Sequence, residues 1–168
     1  MDVSQALKKP GQAFSFEEEV EIEPMEYLSD PLTFKDVSVK GEYVCAGDDR
    51  ISLKAGVSAK AETRCSRCLD PVEIPIHADV DALYVRQPDP DDPDLYSYDS
   101  STVVLTDAVR DALLLNMPLQ VLCNDACKGL CPRCGVNLNR GTCTCQEGAE
   151  VTNPFSALKN IVLNDEEV

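Results

Sequence analysis

At 168 residues, 43% of them hydrophobic, the chain is long enough to bury a core of its own within one domain. Fifteen basic against thirty acidic residues leave a formal charge of −15, which excludes uniform nucleic-acid binding across the body because such a surface repels phosphate. No stretch approaches the roughly 20 apolar residues of a membrane span, and the first residues lack the apolar run of a secretory signal, so a reducing cytoplasmic setting is expected.

Along the chain, Phe14, Phe16, Val20 and Ile22 fall in period two among Glu17, Glu18, Glu19, Glu21, Glu23 and Glu26. That spacing predicts a short strand with a charged outer face. From Leu32 to Val85 the pattern is that of a β-meander. Leu53, Ala55, Val57, Ala59 and Ala61 recur every second residue, as do Val72, Ile74, Ile76, Ala78 and Val80. Leu83 and Val85 continue out of phase, which predicts a bulge near Asp81-Ala82. Gly47-Asp48-Asp49 and Leu69-Asp70-Pro71 carry turn residues. Cys65 and Cys68 therefore fall at a bend between two antiparallel strands, an arrangement that resembles a rubredoxin-like knuckle.

Residues 87–101 hold three prolines and five aspartates and read as an exposed acidic loop. The ligand spacing of a calcium-binding EF-hand is absent there. Thr102 to Leu105 reads as another short strand. Thr106 is expected to cap a helix over 106–117, with Asp107 in its first turn and Val109, Ala112, Leu113 and Asn116 along one side. Pro118 ends it. Asn153-Pro154 opens a C-terminal helix striped by Phe155, Leu158, Ile161 and Val162.

The cysteines carry the chemistry. Of nine, six crowd into residues 123–145: Cys123, Cys127, Cys131, Cys134, Cys143 and Cys145. With Cys65 and Cys68 they make eight closely spaced thiols, enough for two closed four-thiolate zinc sites. Two such sites would bring the chain to about −19, since four thiolates outweigh one divalent cation. Cys131-Pro-Arg-Cys134-Gly135 is the most specific motif, its glycine permitting a tight left-handed turn. The favoured partition joins Cys131, Cys134, Cys143 and Cys145, and separately Cys65, Cys68, Cys123 and Cys127. The rival joins Cys123, Cys127, Cys131 and Cys134, leaving Cys65 and Cys68 with Cys143 and Cys145. Spacing alone does not decide between them.

A disulfide framework fits a secreted chain better than this one. The same thiols also suit iron, so a thiol or iron–sulfur redox protein is the alternative. A catalytic zinc would need an open position, which an even set of eight argues against. His77, the single histidine, falls on the outward phase of its strand, and no nucleophile–base constellation accompanies it. A non-enzymatic protein is therefore expected. Cys45, near a strand end, reads as a small core residue. Arg64, Arg67, Lys128, Arg133 and Arg140 flank cysteines. They compensate thiolate charge or, at Lys128, Arg133 and Arg140, offer an RNA contact. With only Arg110 basic in 106–117, a recognition helix for DNA is excluded.

Cys65-Ser-Arg-Cys68-Leu69, Pro118-Leu119, Cys123, the run from Cys127-Lys-Gly-Leu-Cys131-Pro-Arg-Cys134-Gly to Asn137-Leu-Asn139, and Asn153-Pro154-Phe155 together resemble the YceD family of large ribosomal RNA subunit accumulation proteins. The likeness spans most of residues 30–163. It implies a non-enzymatic role in 23S ribosomal RNA accumulation and large-subunit assembly in a bacterial cytoplasm. The implied partners are a basic ribosomal protein such as L32 or a pre-ribosomal large subunit.

The expected architecture is α+β. An antiparallel meander or partly closed sheet fills residues 1–122 with loop 87–101 and helix 106–117. A cysteine-rich zinc knuckle and C-terminal helix, residues 123–168, pack on the same domain.

Overall fold

The structure, a computed structural model, describes residues 1–87, 92 and 94–145. The expected C-terminal helix therefore lies outside the described residues. Eight elements follow in order: α1 (Ser4–Lys8), β1 (Ala13–Glu19), β2 (Met25–Tyr27), β3 (Asp30–Cys45), β4 (Ile51–Arg64), β5 (Pro71–Val85), β6 (Leu95–Ser97) and α2 (Thr106–Leu115). The strands form one open sheet in the order β1-β3-β4-β5-β6, with β2 folded back on β3. It is neither closed nor wholly antiparallel, because β6 runs parallel to β5, pairing Leu83 with Leu95 and Val85 with Ser97.

The long strands form where period-two alternation is cleanest. On β4, Ile51, Leu53, Ala55, Val57, Ala59 and Ala61 are buried and their neighbours are not. The same phase runs along β5 through Ile76, Ala78, Val80, Ala82 and Tyr84. β4 and β5 pair without a break from Ile51 opposite Tyr84 to Arg64 opposite Pro71. The bulge expected at Asp81-Ala82 is therefore absent. Tyr84 carries the inward phase onward, and Leu83 and Val85 simply occupy the other face, half-buried. The register shift lies instead in β3, between Lys35 and Ser38, where Asp36 has φ 51° and pairs with Lys60 at 2.7 Å.

β1 lies where Phe14 and Phe16 predicted it, both rings against Tyr43 at 5.7 and 6.0 Å between centroids. The turns behave as their residues require. Leu28 and Ser29, both at positive φ, make the two-residue β2–β3 hairpin. Gly47, Asp48 and Asp49, also at positive φ, close β3 onto β4. Gly41 meets a different demand: a Cβ there would collide with the carbonyl oxygen of Lys54 and lie 2.5 Å from Ala55 Cα. Only glycine lets the two strands approach so closely.

One core backs the sheet. Val3 and Ala6 at the N-terminus and Ala108, Val109 and Leu113 of α2 join the inward residues of β3, β4 and β5. Each fully buried leucine there contributes about 2 kcal/mol. Cys45 is among them, as expected. Three other expectations are corrected. Thr102 to Leu105 is not a strand, since only Thr102 forms isolated bridges, to Asp2 and Asp99, while Val103 and Leu105 are buried. Thr106 is the first helical residue and Leu105 occupies the cap position with no side-chain cap bond; the helix ends at Leu115, where Asn116 Nδ2 donates to the Ala112 carbonyl at 2.9 Å. Of the acidic loop, the described residues 94–101 are anchored, not wholly exposed. Tyr98 is buried with its hydroxyl donating to Asp49 O at 2.6 Å, and Tyr96 packs on Tyr84 at 5.4 Å. Among the described residues, no helix is long and apolar enough to cross a membrane.

Candidate metal centres

The β4–β5 hairpin ends in a tight loop. Cys65 N donates to Asp70 O at 2.8 Å, Leu69 N returns to Cys65 O at 2.9 Å, and Leu69 takes φ 60°. These bonds turn the thiols of Cys65 and Cys68 toward one side. The chain leaving α2 then runs past that tip. Ser66 N donates to Val121 O at 2.8 Å, and Val121 N donates to Ser66 Oγ at 3.2 Å. This delivers Cys123 and Cys127 to the hairpin. Gly129, at φ 73°, lets the backbone pass where a Cβ would sit 3.1 Å from Arg67 O. Leu130 N donates to that same carbonyl at 3.1 Å, and Arg67 Nη1 donates to Cys127 O at 3.1 Å.

The result is an inner cage of Cys65, Cys68, Cys123 and Cys127, whose sulfurs all lie within 4.8 Å of one another. Cys65 and Cys127 sulfurs are 3.8 Å apart, those of Cys68 and Cys123 3.6 Å. A tetrahedral site with metal–sulfur bonds near 2.3 Å has an edge of about 3.8 Å, so the spacing suits a cation such as zinc. All nine cysteines are free thiols. Cys65, Cys68 and Cys127 are buried, with Val72, Leu122 and Leu130 packed around them.

An outer cage gathers Cys131, Cys134, Cys143 and Cys145, again within 4.8 Å. Gly135, at φ 72°, makes the left-handed turn that its position predicts and donates its N–H to Cys131 O at 2.9 Å. Here Cys131 is buried, Cys134 is exposed, and Cys143 and Cys145 are half-buried. The two groups reproduce the first of the two partitions drawn from spacing.

Backbone dipoles tune the sulfurs. Burial pushes the Cys65 thiol up, but the N–H groups of Arg67, Cys68 and Cys123 outweigh it and bring the thiol down to about 6. The Cys134 and Arg133 N–H groups bring Cys131 down to about 6 against the opposing effect of burial. The Asp70 N–H lowers Cys68, yet burial and the neighbouring thiols prevail and hold it up at about 12. Hydrogen bonding to Cys134, together with burial, holds Cys145 up at about 12. Each cage thus has a thiol that ionises readily and one that releases its proton last, so cation binding would expel protons.

Sequence reasoning identified the sulfurs but missed their supports. Asn139 Nδ2 donates to Cys127 Sγ at 3.3 Å, and Asn124 Nδ2 donates to Cys123 Sγ at 3.3 Å. Asp70 accepts from Asn137 Nδ2 at 3.0 Å and from Arg140 Nη2 at 2.8 Å, tying the hairpin tip to the finger. The nearest signal in the sequence is Asn137-Leu138-Asn139, one residue beyond Gly135, and nothing in that spacing points to sulfur. Lys128, Arg133 and Arg140 are exposed, Arg140 paired with Asp70. His77 is exposed in mid-strand opposite Ser58 and belongs to neither cage.

An open mixed sheet, joined at its β4–β5 hairpin to residues 121–145 through one four-cysteine cage, with a second cage inside that segment, defines a class of cysteine-stapled β proteins. The chain belongs to the family described as large ribosomal RNA subunit accumulation protein YceD, whose model matches residues 53–162 and so takes in both cages. Among its relatives is the uncharacterized protein YlbN of Bacillus subtilis, 28% identical over 137 residues that make up 79% of each chain. An uncharacterized protein of Mycobacterium tuberculosis is 26% identical over 148 residues, 82% of this chain and 70% of that one. The chloroplastic large ribosomal RNA subunit accumulation protein YCED homolog 1 of Arabidopsis thaliana is 43% identical over 37 residues, 22% of this chain and 12% of its own length. No solved structure matches the chain.

Proposed function

We propose that the protein is a non-enzymatic ribosome-biogenesis factor of the bacterial cytoplasm that supports 23S ribosomal RNA accumulation and large-subunit assembly. The observation that carries this reading is family membership over a segment that contains both cages. Zinc is the metal assigned to each cage, as a closed four-thiolate site that staples structure and leaves no position for substrate. The chain's formal charge of −15 suits a basic ribosomal protein or a pre-ribosomal particle rich in such proteins. Contact with RNA is secondary and confined to the finger, through Lys128, Arg133 and, where its pairing with Asp70 allows, Arg140.

The test is depletion of the protein followed by measurement of the 23S to 16S ribosomal RNA ratio, together with capture of the tagged full chain from growing cells. A fallen ratio and co-purifying large-subunit proteins are expected. An unchanged ratio with no ribosomal component recovered at low salt would overturn the assignment. Metal analysis of anaerobically purified protein separates the alternative: about two zinc ions per chain fit a structural role, whereas iron with visible absorbance fits a thiol redox protein.

A further inference from the structure

By sequence, Asn137 to Asn139 belong to the outer cage, since they lie between Cys134 and Cys143. Their side chains nevertheless reach the inner one. Asn139 Nδ2 donates to Cys127 Sγ at 3.3 Å, while its Oδ1 accepts from Lys128 N at 2.8 Å. Asn137 Oδ1 steadies Asn139 by accepting from its backbone N at 3.0 Å and from its side-chain amide at 3.1 Å. Asn137 Nδ2 donates to Asp70 Oδ2, the same carboxylate oxygen that accepts from Cys68 Sγ at 3.5 Å. One inner sulfur, that of Cys127, is thus supported from a loop whose two ends are outer-cage ligands.

We propose that Asn139 is a positioning residue that couples the two cages, so that metal held in one raises the affinity of the other. This rests on the reading that both cages hold a divalent cation. An amide N–H aimed at sulfur stabilises thiolate over thiol and orients the ligand. With the outer cage closed, loop 134–143 is fixed at both ends and the amide is already in place. With it open, ordering that loop costs conformational entropy at the moment the inner cage fills. Linkage makes the effect reciprocal. Changing a hydrogen-bond partner of a metal ligand typically costs 10–100-fold in affinity, so a coupling of about tenfold is expected here.

The experiment strips and reduces the full-length protein and titrates it with cobalt(II) alone, following thiolate-to-cobalt charge transfer and the tetrahedral d–d bands. It compares the natural sequence, a Cys143→Ser/Cys145→Ser double variant that disables the outer cage, Asn139→Asp, and Asn139→Asp in the disabled background. Asn139→Asp keeps the acceptor for Lys128 N, removes the donors to sulfur and to Asn137 Oδ1, and adds a negative charge, for which Asn139→Ala in both backgrounds is the neutral control. Disabling the outer cage is expected to weaken the inner one about tenfold. Asn139→Asp should weaken it similarly in the intact background and add nothing in the disabled one. Asn124→Asp, which removes a donor located within the inner segment itself, should weaken both backgrounds equally.

An inner affinity indifferent to the outer cage would overturn the proposal, as would losses from Asn139→Asp and from outer-cage removal that simply multiply. Where the carboxylate disturbs the sheet signal in circular dichroism, the Asn139→Ala cycle is judged by the same outcomes. Two cobalt ions bound independently sink the coupling alone. A natural sequence that shows no thiolate-to-cobalt charge transfer sinks the metal reading along with it.

Discussion

The two cages each gather four thiols, in different surroundings. The inner cage draws its ligands from two remote stretches and sits among Val72, Leu122 and Leu130, with three of its cysteines buried. The outer cage takes all its ligands from residues 131–145 and leaves Cys134 exposed. The inner cage therefore joins separate parts of the fold, whereas the outer one shapes a single loop. Identical chemistry serves long-range cross-linking in one place and local shaping in the other, and context alone sets which. Metal release should accordingly begin at the outer cage, whereas within the inner cage only Cys123 is exposed to modification.

That contrast can be broken or sharpened experimentally, starting from the sheet that carries both cages. Gly41→Ala drives a methyl into the β4 backbone, and a loss of more than about 3 kcal/mol is expected from such overpacking. Denaturant unfolding measures it; a loss under about 1 kcal/mol would mean the strands can part at no cost, and the sheet would not be the rigid support assumed here. Cys65→Ser/Cys68→Ser should halve the bound metal and lower the thermal midpoint by roughly 10 °C or more, because the staple between hairpin and finger is lost. Metal analysis and calorimetry report both quantities.

Cys143→Ser/Cys145→Ser should also halve the metal, yet shift the midpoint by less than about 4 °C. Equal shifts from the two double variants would erase the distinction between cross-link and local loop. A chelator added to the natural protein should release metal in two phases, and alkylation followed by mass spectrometry should label Cys134, Cys143 and Cys145 before Cys65. The smallest effect belongs to Asp70→Ala, which deprives Asn137 and Arg140 of their acceptor. About 1 kcal/mol is expected, read as a modest fall in midpoint with metal content unchanged.

Much of this comparison was legible beforehand, for physical reasons. Period-two burial on β4 and β5 is a direct consequence of strand geometry, so Leu53 to Ala61 and Ile76 to Val80 announced themselves. The hairpin turn at Leu69-Asp70 and the left-handed Gly135 followed from residue type. Short or nonlocal features did not follow. β6 has three residues and pairs in parallel with a strand ten residues upstream, a connection without a local signature. Aspartates and prolines in 87–101 hid the signal of Tyr96 and Tyr98, whose rings pack on Tyr84 and under Arg86. The N-terminal helix is five residues long, too short for a helical period to emerge. Hydrogen bonds to sulfur have no spacing rule, which is why Asn124 and Asn139 became visible only in three dimensions.

The inner cage also sets an order of events. Its sulfur pairs join residues 62 and 55 positions apart, so a chain growing from its N-terminus exposes Cys65 and Cys68 well before Cys123 and Cys127 are made. The early pair has to wait as an incomplete claw while strand, helix and linker emerge behind it. With a cation bound, the hairpin could be locked only after Cys127 has been made.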